Sequence, residues 1–292
     1  MKKLIKTIKH LIDLCYCEFN LDNYLSMLYK QFSNIRHFQT EKYKPVKLMS
    51  NNNIYSGVVT NNYNSKHKRN IYLIGKGILF DSGGLDLKRG MTDMTNDKAG
   101  MIIALGVADY FKKNVIAYCP VTTNFLQTSL ITPGDRIKIG RKIVRVTNTD
   151  AEGRLILAEA LSSLSITKSD VVITIATLTG CCTYAVDKGI GVLSPNNKLA
   201  QSFIKSANEE KEIAWQLPMF DYMQKDYNKK VIVNSNKNIK AGTSEAAMFL
   251  KQFVKYPENW LHLDIAFASF DKNEKANGVP VKSLINFIKK IK

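Results

Sequence analysis

The sequence predicts an α/β protein with a mostly parallel or mixed central sheet and helices on both faces of that sheet. Three observations support this fold class. From residue 71 onward, strand-like and helix-like segments alternate, and the strand-like segments at 115–121 and 170–178 are mainly apolar. Apolar residues make up 45% of the 292 residues, which is enough for a sizeable core. Strands that lack a polar face are typical of sheets covered by helices on both sides.

The first 45 residues are predicted to form a short, mostly helical extension before a larger domain over 46–292. Apolar positions within 3–32 recur at helical spacing, and an interruption near 20–22 separates two helices. Polar stretches on either side of 54–60 predict one short strand there.

The remaining elements follow from apolar periodicity and from the turn residues between apolar runs. Strands are predicted over 71–74, 115–121, 142–146, 170–178 and 260–265, and helices over 98–112, 153–165, 198–212, 243–256 and 281–291. Ligands of such sheets bind beyond the carboxyl ends of the strands, so polar residues that directly follow a strand are candidate site residues.

The chain is strongly basic, with 42 basic residues against 25 acidic ones and a net charge of +17. Such an excess is compatible with a polyanionic partner, including nucleic acid. Most of the excess is lysine spread over separate segments, at the two termini, around 66–69 and at 229–230. We interpret it as a solvated basic surface and leave a nucleic-acid partner open.

Cysteine and histidine usage indicates a reducing compartment and a site without thiolate ligands. The five cysteines are an odd number without a paired Cys-x-x-Cys, and the four histidines are scattered. No run of 18 uncharged apolar residues is present, so no membrane span is expected. Lys6, Lys9 and His10 interrupt what would be the apolar part of a signal peptide, and we predict a cytoplasmic protein. An organelle-targeting helix remains an alternative.

One candidate cluster begins with a lysine between two glycines, Gly75-Lys76-Gly77, where the strand over 71–74 ends. Asp81 and Lys88 follow it. A phosphate-binding loop would need Gly-x-x-x-x-Gly-Lys-Ser/Thr, and this segment does not match. By itself the cluster is at least as compatible with a structural turn that the aspartate caps.

Two further acidic positions precede predicted helices. Asp97 lies where a helix begins, so an N-cap is the simpler explanation for it. Asp150, Glu152 and Arg154 alternate between a strand and a helix, and in an extended segment they would share one face. When two carboxylates lie so close together, their mutual repulsion must be offset by a proton, by the nearby guanidinium or by a bound cation. A capped helix start with a surface ion pair is the alternative.

Considered together, the motifs resemble the leucyl (cytosol) aminopeptidase family. The resemblance runs from about residue 71 to the C-terminus and keeps the order of the family's motifs. It rests on Asn-Thr-Asp-Ala-Glu-Gly-Arg at 148–154 with Leu-Ile-Leu-Ala after it, on the spacing of Lys76, Asp81 and Lys88, on Ala-Thr-Leu-Thr-Gly at 176–180, and on Trp-Leu-His-Leu-Asp-Ile-Ala at 260–266. It implies a three-layer α/β/α sandwich of the aminopeptidase/phosphorylase type, with the catalytic domain over 46–292.

The resemblance implies a site for two divalent metal ions, Zn²⁺ or Mn²⁺, with Mg²⁺ as an alternative. Lys76 would be a neutral amine ligand and would hold the tighter metal together with Asp97. Asp81 and Glu152 would bridge both metals, and Asp150 would hold the more exchangeable one. Two metals lower the pKa of a bridging water and yield a hydroxide at neutral pH.

Two further residues would act on the substrate by resemblance. Lys88 would point at the scissile carbonyl, and Arg154 would hold a bicarbonate that relays a proton. The implied reaction removes N-terminal, apolar, leucine-like residues from peptides. The family forms hexamers, so a homo-oligomer is also expected.

The pocket for the first side chain of the substrate maps to a set of mostly small or apolar residues: Met94, Thr177, Leu178, Gly180, Ala266 and Ser269. Each of these could equally be a plain core residue. The sequence departs from the family's pattern in three ways. Only about 45 residues precede the predicted catalytic domain, where the family usually has a separate N-terminal domain that we expect to be lacking here. The loop between Lys88 and Asp97 is two residues shorter, and Phe267 replaces a glycine.

Two other functions remain open. The first is a pseudoenzyme, in which the fold serves as a structural or assembly subunit; the presence of all seven predicted metal and catalytic residues argues against it. The second is a moonlighting role in nucleic-acid binding, suggested by the net charge and by family members that bind DNA, although no DNA-binding module is recognisable.

Overall fold

The computed structural model describes residues 1–14, 21–32, 35–38, 57–60, 69–89, 94–126, 131–224, 226–228, 231–236 and 238–292. The α-helices are α1 Lys2–Asp13, α2 Leu21–Gln31, α3 Ala99–Phe111, α4 Glu152–Ser163, α5 Thr183–Val186, α6 Asn197–Glu209, α7 Gly242–Lys251 and α8 Val281–Ile291. The strands are β1 Ile35–Phe38, β2 Gly57–Thr60, β3 Ile71–Gly75, β4 Gly77–Asp81, β5 Val115–Asn124, β6 Arg136–Ile139, β7 Lys142–Arg145, β8 Val171–Ala176, β9 Ile190–Leu193, β10 Ala214–Gln216, β11 Asp226–Asn228, β12 Val231–Val233 and β13 Trp260–Asp264.

The central sheet is mixed and has a parallel middle. Within the described part of the chain its strands follow the order β1-β2-β5-β3-β8-β13-β9-β10, and β4 pairs with β5. Strands β5, β3, β8 and β13 run parallel to one another. Strands β2 and β9 join this parallel group in antiparallel orientation. The predicted fold class is therefore confirmed.

The two faces of the sheet bury separate apolar cores. Successive residues of a strand point to opposite faces, and in β3 Ile71 and Leu73 enter one core while Tyr72 and Ile74 enter the other. Helices α1, α2, α3, α6 and α8 contribute to the first core. Helices α4 and α7 contribute to the second. This arrangement explains why β3 and β8 show no polar face.

A smaller sheet lies on the side of the second core. Its strand order is β11-β12-β7-β6, and β12 runs parallel to β7. Ile137, Val144 and Ile232 from this sheet are buried with Leu155 and Leu157 of α4. The small sheet thereby supports the helix that carries Glu152 and Arg154.

The N-terminal helix α1 packs into the first core. Ile8, Leu11 and Ile12 are fully buried there. Lys98, which directly precedes α3, donates hydrogen bonds to the carbonyls of Ile12 at 3.0 Å and Leu14 at 2.9 Å, at the C-terminal end of α1. The predicted domain boundary at residue 45 stays a prediction, since residues 39–56 lie outside the described part.

Most predicted elements exist with boundaries shifted by a few residues, and 281–291 is a helix over that same range. The structure differs at Gly77–Asp81, for which no strand was predicted and a structural turn was at least as compatible with the sequence, because this segment is strand β4 beside β5. The flanking glycines suggested a turn, but the buried side chains of Ile78 and Leu79 make this segment part of the sheet. Of the strand predicted at 54–60, only Gly57–Thr60 falls in the described part.

Candidate metal centre

The carboxyl ends of the central strands place several polar side chains at one edge of the sheet. Lys76 follows β3, Asp81 ends β4, Asn124 ends β5 and Thr177 follows β8. Parallel strands in register bring their carboxyl ends together, so residues far apart in sequence become neighbours. Asp97 joins them from the short 3₁₀ turn Thr95–Lys98 before α3.

Asp150 and Glu152 reach the same place from a turn and a helix. The argument that Asp150 and Glu152 share one face of an extended segment is wrong, because Asp150 lies in a turn and Glu152 is the first residue of α4. The intervening Ala151 has φ −105° and ψ 42°, which is not an extended conformation. The two carboxylates nevertheless converge, because the turn directs the start of α4 at the end of β3.

Lys76 is buried between two of the predicted metal ligands. Its Nζ lies 2.8 Å from Asp97 Oδ2 and 2.8 Å from Glu152 Oε1, and it donates a 3.1 Å hydrogen bond to the carbonyl of Thr177. Burial lowers the pKa of Lys76, but the charges of Asp97, Glu152 and Asp81 outweigh burial and raise this pKa overall. Without metal, Lys76 is therefore a charged ammonium.

Space for the Lys76 side chain depends on the second residue of α4. A Cβ placed on Gly153 would lie 2.5 Å from Lys76 Cε and 2.7 Å from Lys76 Nζ. A glycine at this position lets the helix start close over the lysine.

Lys88 bridges the other two carboxylates of the site. Its Nζ lies 2.8 Å from Asp81 Oδ2 and forms a short ion pair with Asp150 Oδ1. Burial lowers the pKa of Lys88, yet the negative charge of Asp81 and Glu152 gives a raised pKa overall. Burial also raises the pKa of Asp150.

The four carboxylates outnumber the two ammonium groups, and a cation would restore the balance. Oxygens of Asp81, Asp97 and Glu152 lie within 4.8 Å of one another, and all three residues are buried. Within the described part of the chain, Glu152 Oε2 is buried without a hydrogen-bond partner. Burial raises the pKa of Glu152 to about 8 and that of Asp97 to about 6. Among the same described residues, Asp97 Oδ2 is also buried without a hydrogen bond, although it lies 2.8 Å from Lys76 Nζ. An oxygen-rich set with two such buried carboxylate oxygens fits a hard divalent cation.

Neighbouring groups hold the carboxylates in place, and none of them was predicted to have this supporting role. Asn124 Nδ2 donates to Asp81 Oδ1 at 2.7 Å, and the backbone N–H of Gly83 donates to the same oxygen at 2.9 Å. Thr177 Oγ1 donates to Asp97 Oδ1 at 2.7 Å. Such supporting bonds orient metal ligands. Asn124 could have been noticed because it closes an apolar strand with an amide.

Arg154 has an internal anionic partner that was not predicted. Its Nη1 forms a short ion pair with Glu245 Oε2 and donates a 2.8 Å hydrogen bond to the carbonyl of Asn234. Glu245 belongs to α7, and both side chains are buried. In the sequence, Glu245 could be noticed only as a charged residue directly before the apolar run 246–250. Nothing near it in the sequence identifies Arg154 as its partner.

A cavity of about 460 Å³ opens above the carboxylate cluster. Five residues of the predicted substrate pocket line it: Met94, Thr177, Leu178, Gly180 and Ala266. The lining also includes Phe267, whose side chain is 44% exposed. Ser269 is buried, and its hydroxyl donates to the carbonyl of Val279 at 2.8 Å, which gives it a structural role. Residues 90–93, in the loop predicted to be short, lie outside the described part.

Asp264, the last residue of β13, connects two segments of the cavity wall. Its Oδ2 accepts a 2.6 Å hydrogen bond from Thr179 Oγ1. Its Oδ1 accepts from the backbone N–H groups of Leu178 and Ala266, both at 3.2 Å. The sequence signal for Asp264 was a carboxylate in a strand whose other residues, apart from His262, are apolar.

Fold and site together define a mixed α/β protein with a buried, carboxylate-rich candidate metal centre at the carboxyl ends of its strands. Residues 41–285 match the cytosol aminopeptidase family, catalytic domain. The chain belongs to this family.

Relatives named probable cytosol aminopeptidase agree with this assignment. The one from Chlorobaculum tepidum is 36% identical over 240 residues, which cover 77% of this chain and 48% of the relative. The one from Psychromonas ingrahamii is 34% identical over 260 residues, which cover 85% of this chain and 51% of the relative. The chain thus spans about half the length of these relatives.

The same fold occurs in a solved structure of low sequence identity. The bottromycin maturation enzyme BotP in complex with Mn aligns with a TM-score of 0.87 at 21% identity, over 99% of this chain and 70% of that chain. Among the described residues, no helix combines the length and apolar character needed to cross a membrane.

Proposed function

We propose that this chain carries the catalytic centre of a metal-dependent aminopeptidase that removes N-terminal residues from peptides. The observation that carries the proposal is the cluster of four carboxylates and two lysines at the carboxyl ends of the strands, in which Lys76, Asp81, Asp97 and Glu152 are buried while Lys88 and Asp150 are partly exposed. Membership in the cytosol aminopeptidase family supports the reaction class.

In this proposal two divalent cations are held by Lys76, Asp81, Asp97, Asp150 and Glu152. When bound, such cations supply a hydroxide at neutral pH and stabilise negative charge on a carbonyl oxygen. Zn²⁺ and Mn²⁺ are the first candidates, and Mg²⁺ is compatible with the oxygen ligands. BotP, which shares the fold, was solved in complex with Mn.

Lys88 is proposed to stabilise the developing oxyanion of the substrate. Its side chain lines the cavity, and its raised pKa keeps the ammonium charged at neutral pH. A fixed positive charge in a site that excludes water stabilises a transition-state anion more strongly than it would in water. Its contacts with Asp81 and Asp150 hold it at the rim of the carboxylate cluster.

The first side chain of the peptide is proposed to be apolar and leucine-like. Met94, Leu178 and Ala266 give the cavity wall an apolar part, while Thr177 and Gly180 leave space beside it. Phe267 adds a ring at the cavity, so the pocket has a bulky wall on that side.

A cytoplasmic location and a homo-oligomer, with a hexamer as its expected form, belong to the proposal. The name of the relatives supports the location. Light scattering of the purified chain decides the assembly.

Nucleic acid stays open as a second partner because of the charge of +17. Retention on DNA at low salt that falls steeply at moderate salt would support it, and no retention at low salt would exclude it.

Hydrolysis of leucine p-nitroanilide with added Zn²⁺ or Mn²⁺ tests the proposed reaction. We expect metal-dependent turnover in the intact chain and background rates in the Asp150→Ala/Glu152→Ala double variant, because two of the four carboxylates are gone. Glu258→Ala, which removes an exposed carboxylate, serves as the matched control and keeps its activity. Absence of metal-dependent turnover in the intact chain would favour the pseudoenzyme instead.

A further inference from the structure

The environment of Arg154 differs from what a bicarbonate-binding arginine requires. Its guanidinium pairs with Glu245 Oε2 and donates to the carbonyl of Asn234 at 2.8 Å. The side chains of Arg154 and Glu245 are 8% and 7% exposed, so water screens this ion pair weakly. Glu245 therefore already neutralises the positive charge of Arg154 that an external anion would otherwise neutralise.

Glu245 is held in this position at both of its carboxylate oxygens. While Oε2 contacts Arg154, Oε1 accepts a 3.1 Å hydrogen bond from the backbone N–H of Asn236. The backbone N–H of Glu245 donates to the carbonyl of Ala241 at 2.9 Å, at the start of α7. Since helix and loop both fix Glu245, its carboxylate is a built-in part of the site.

A bicarbonate brought to the same side of Arg154 would meet the negative charge of Glu245. Two like charges at hydrogen-bond distance in a buried site repel each other strongly. Arg154 also lines the cavity beside Glu152, so the pair lies next to the candidate metal ligands. The residues present therefore do not fit bicarbonate as the resident anion.

We propose that Glu245 is a positioning residue that occupies the anion site on Arg154 and makes the reaction independent of external bicarbonate. The carboxylate of Glu245 takes the place that a small carboxylate-like anion would fill, and it orients the guanidinium toward the cavity. This inference rests on the proposed aminopeptidase function for its kinetic test, but its binding test does not.

The binding test uses ¹³C-bicarbonate and the Zn²⁺-loaded full chain, with NMR line width and chemical shift as the readout. We expect no saturable binding to the unmodified chain and saturable binding to Glu245→Ala, in which the carboxylate is removed and Arg154 is freed. Glu258→Ala, with an exposed carboxylate removed, should behave like the unmodified chain. Glu245→Gln keeps the side-chain shape and removes the charge, so it provides a second variant if Glu245→Ala fails to fold.

The kinetic test follows leucine p-nitroanilide hydrolysis in CO₂-free buffer and after bicarbonate is added. The rate of the unmodified chain should not change. Glu245→Ala should lose on the order of tenfold in kcat/KM, because an unpaired buried charge replaces a satisfied pair. Bicarbonate should restore much of this loss, and chloride at equal ionic strength should not. A merely structural role for Glu245 would give a loss that bicarbonate does not rescue.

Two results would overturn the inference. One is saturable ¹³C-bicarbonate binding to the unmodified chain, whether or not the rate rises. The other is a folded Glu245→Ala or Glu245→Gln variant that neither binds bicarbonate nor responds to it. If no variant hydrolyses the substrate under any condition, the proposed function fails, and the ¹³C binding comparison still decides the role of Glu245.

Discussion

At the scale of single residues, two lysines neutralise half of the negative charge of the candidate centre. Lys76 contacts Asp97 and Glu152, and Lys88 contacts Asp81 and Asp150. Each ammonium occupies a position between oxygens that a divalent cation would also bind. The cluster can therefore persist buried without metal, since the ammonium groups offset part of the repulsion among the carboxylates.

The hydroxyl of Thr177 should control metal affinity through Asp97. It donates a 2.7 Å hydrogen bond to Asp97 Oδ1. We expect Thr177→Val, which keeps the shape and removes the donor, to weaken Zn²⁺ binding by roughly 10- to 100-fold, as loss of such supporting bonds commonly does. Thr177→Ser retains the hydroxyl and should retain most of the affinity. Competition with a chromogenic chelator measures both variants, and equal affinities in the two would refute this role.

The residues of the centre could be named from their motifs, but their arrangement could not. Lys76 and Glu152 are 76 positions apart in sequence, and their 2.8 Å contact arises only because β3 and α4 meet at one edge of the sheet. Glu245 is separated from Arg154 by 91 positions and belongs to no motif that we recognised. The local sequence pattern indicates which secondary structure a segment can form, whereas these contacts depend on how segments that are distant in sequence pack together.

At the scale of secondary structure elements, apolar patterning was informative where a strand is buried on both faces. Strands β3, β8 and β13 were predicted within a few residues because almost every side chain in them is buried. Strand β4 was missed because the glycines on both sides of Lys76, and Asp81 with the glycines that follow it, also fit a turn, although Ile78, Leu79 and Phe80 between them are apolar. The small sheet was only partly predicted, since β6 has only four residues and its alternation of exposed and buried positions is too short to stand out in the sequence.

The contact between α1 and the 3₁₀ turn before α3 gives an element-scale prediction. Lys98 is 1% exposed, and its ammonium satisfies the carbonyls of Ile12 and Leu14 at the end of α1. Lys98→Met should destabilise the metal-free chain by about 2–4 kcal/mol, because each unsatisfied buried polar group costs about 1–3 kcal/mol. Urea unfolding in EDTA measures this change, and hydrogen exchange should show faster exchange in α1.

An exposed lysine provides the matched control for this prediction. Lys113→Met removes a charge at the end of α3 where the side chain is exposed. It should change the free energy of unfolding by less than about 0.5 kcal/mol, as surface substitutions usually do. If Lys98→Met were equally mild, the link between α1 and the 3₁₀ turn would contribute little to stability.

At the scale of the whole molecule, the candidate centre combines residues of the central sheet with Asp97, which lies just before α3 of the first core, and with Glu152 at the start of α4 of the second core. Strands of the central sheet deliver Lys76 and Asp81, and α4, supported by the second core, delivers Glu152. Metal binding would therefore connect the packing on the two faces of the sheet. Any ligand that binds the folded chain and not the unfolded one raises its stability.

Zn²⁺ should stabilise the chain against heat, and more strongly at pH 8 than at pH 6. At a concentration 100-fold above Kd, the expected gain is about 2.7 kcal/mol, or roughly 5 °C in Tm for a chain of this size. Lys76 must lose its proton to bind a metal, and its pKa is raised by the surrounding carboxylates. Burial raises the pKa of Glu152 to about 8 and that of Asp97 to about 6, so protons compete there too. As the pH rises, protons compete less with Zn²⁺ at Lys76, Glu152 and Asp97, so the affinity of the chain for Zn²⁺ increases.

Differential scanning fluorimetry at the two pH values measures this shift. The Asp150→Ala/Glu152→Ala variant controls for Zn²⁺ bound elsewhere and should show little change in Tm. An equal or larger shift at pH 6 would contradict the assignment of Lys76 as a ligand.

Under the proposed aminopeptidase function, the hydrogen bonds of Asp264 bear on how substrate preference can change. One carboxylate holds the segment after β8, through Leu178 and Thr179, and the segment after β13, through Ala266. A substitution that moves either segment acts on the other through this shared anchor. Variants selected for a new N-terminal residue should therefore carry paired changes in both segments, and the effect of each change alone will be a poor guide to the effect of the two together.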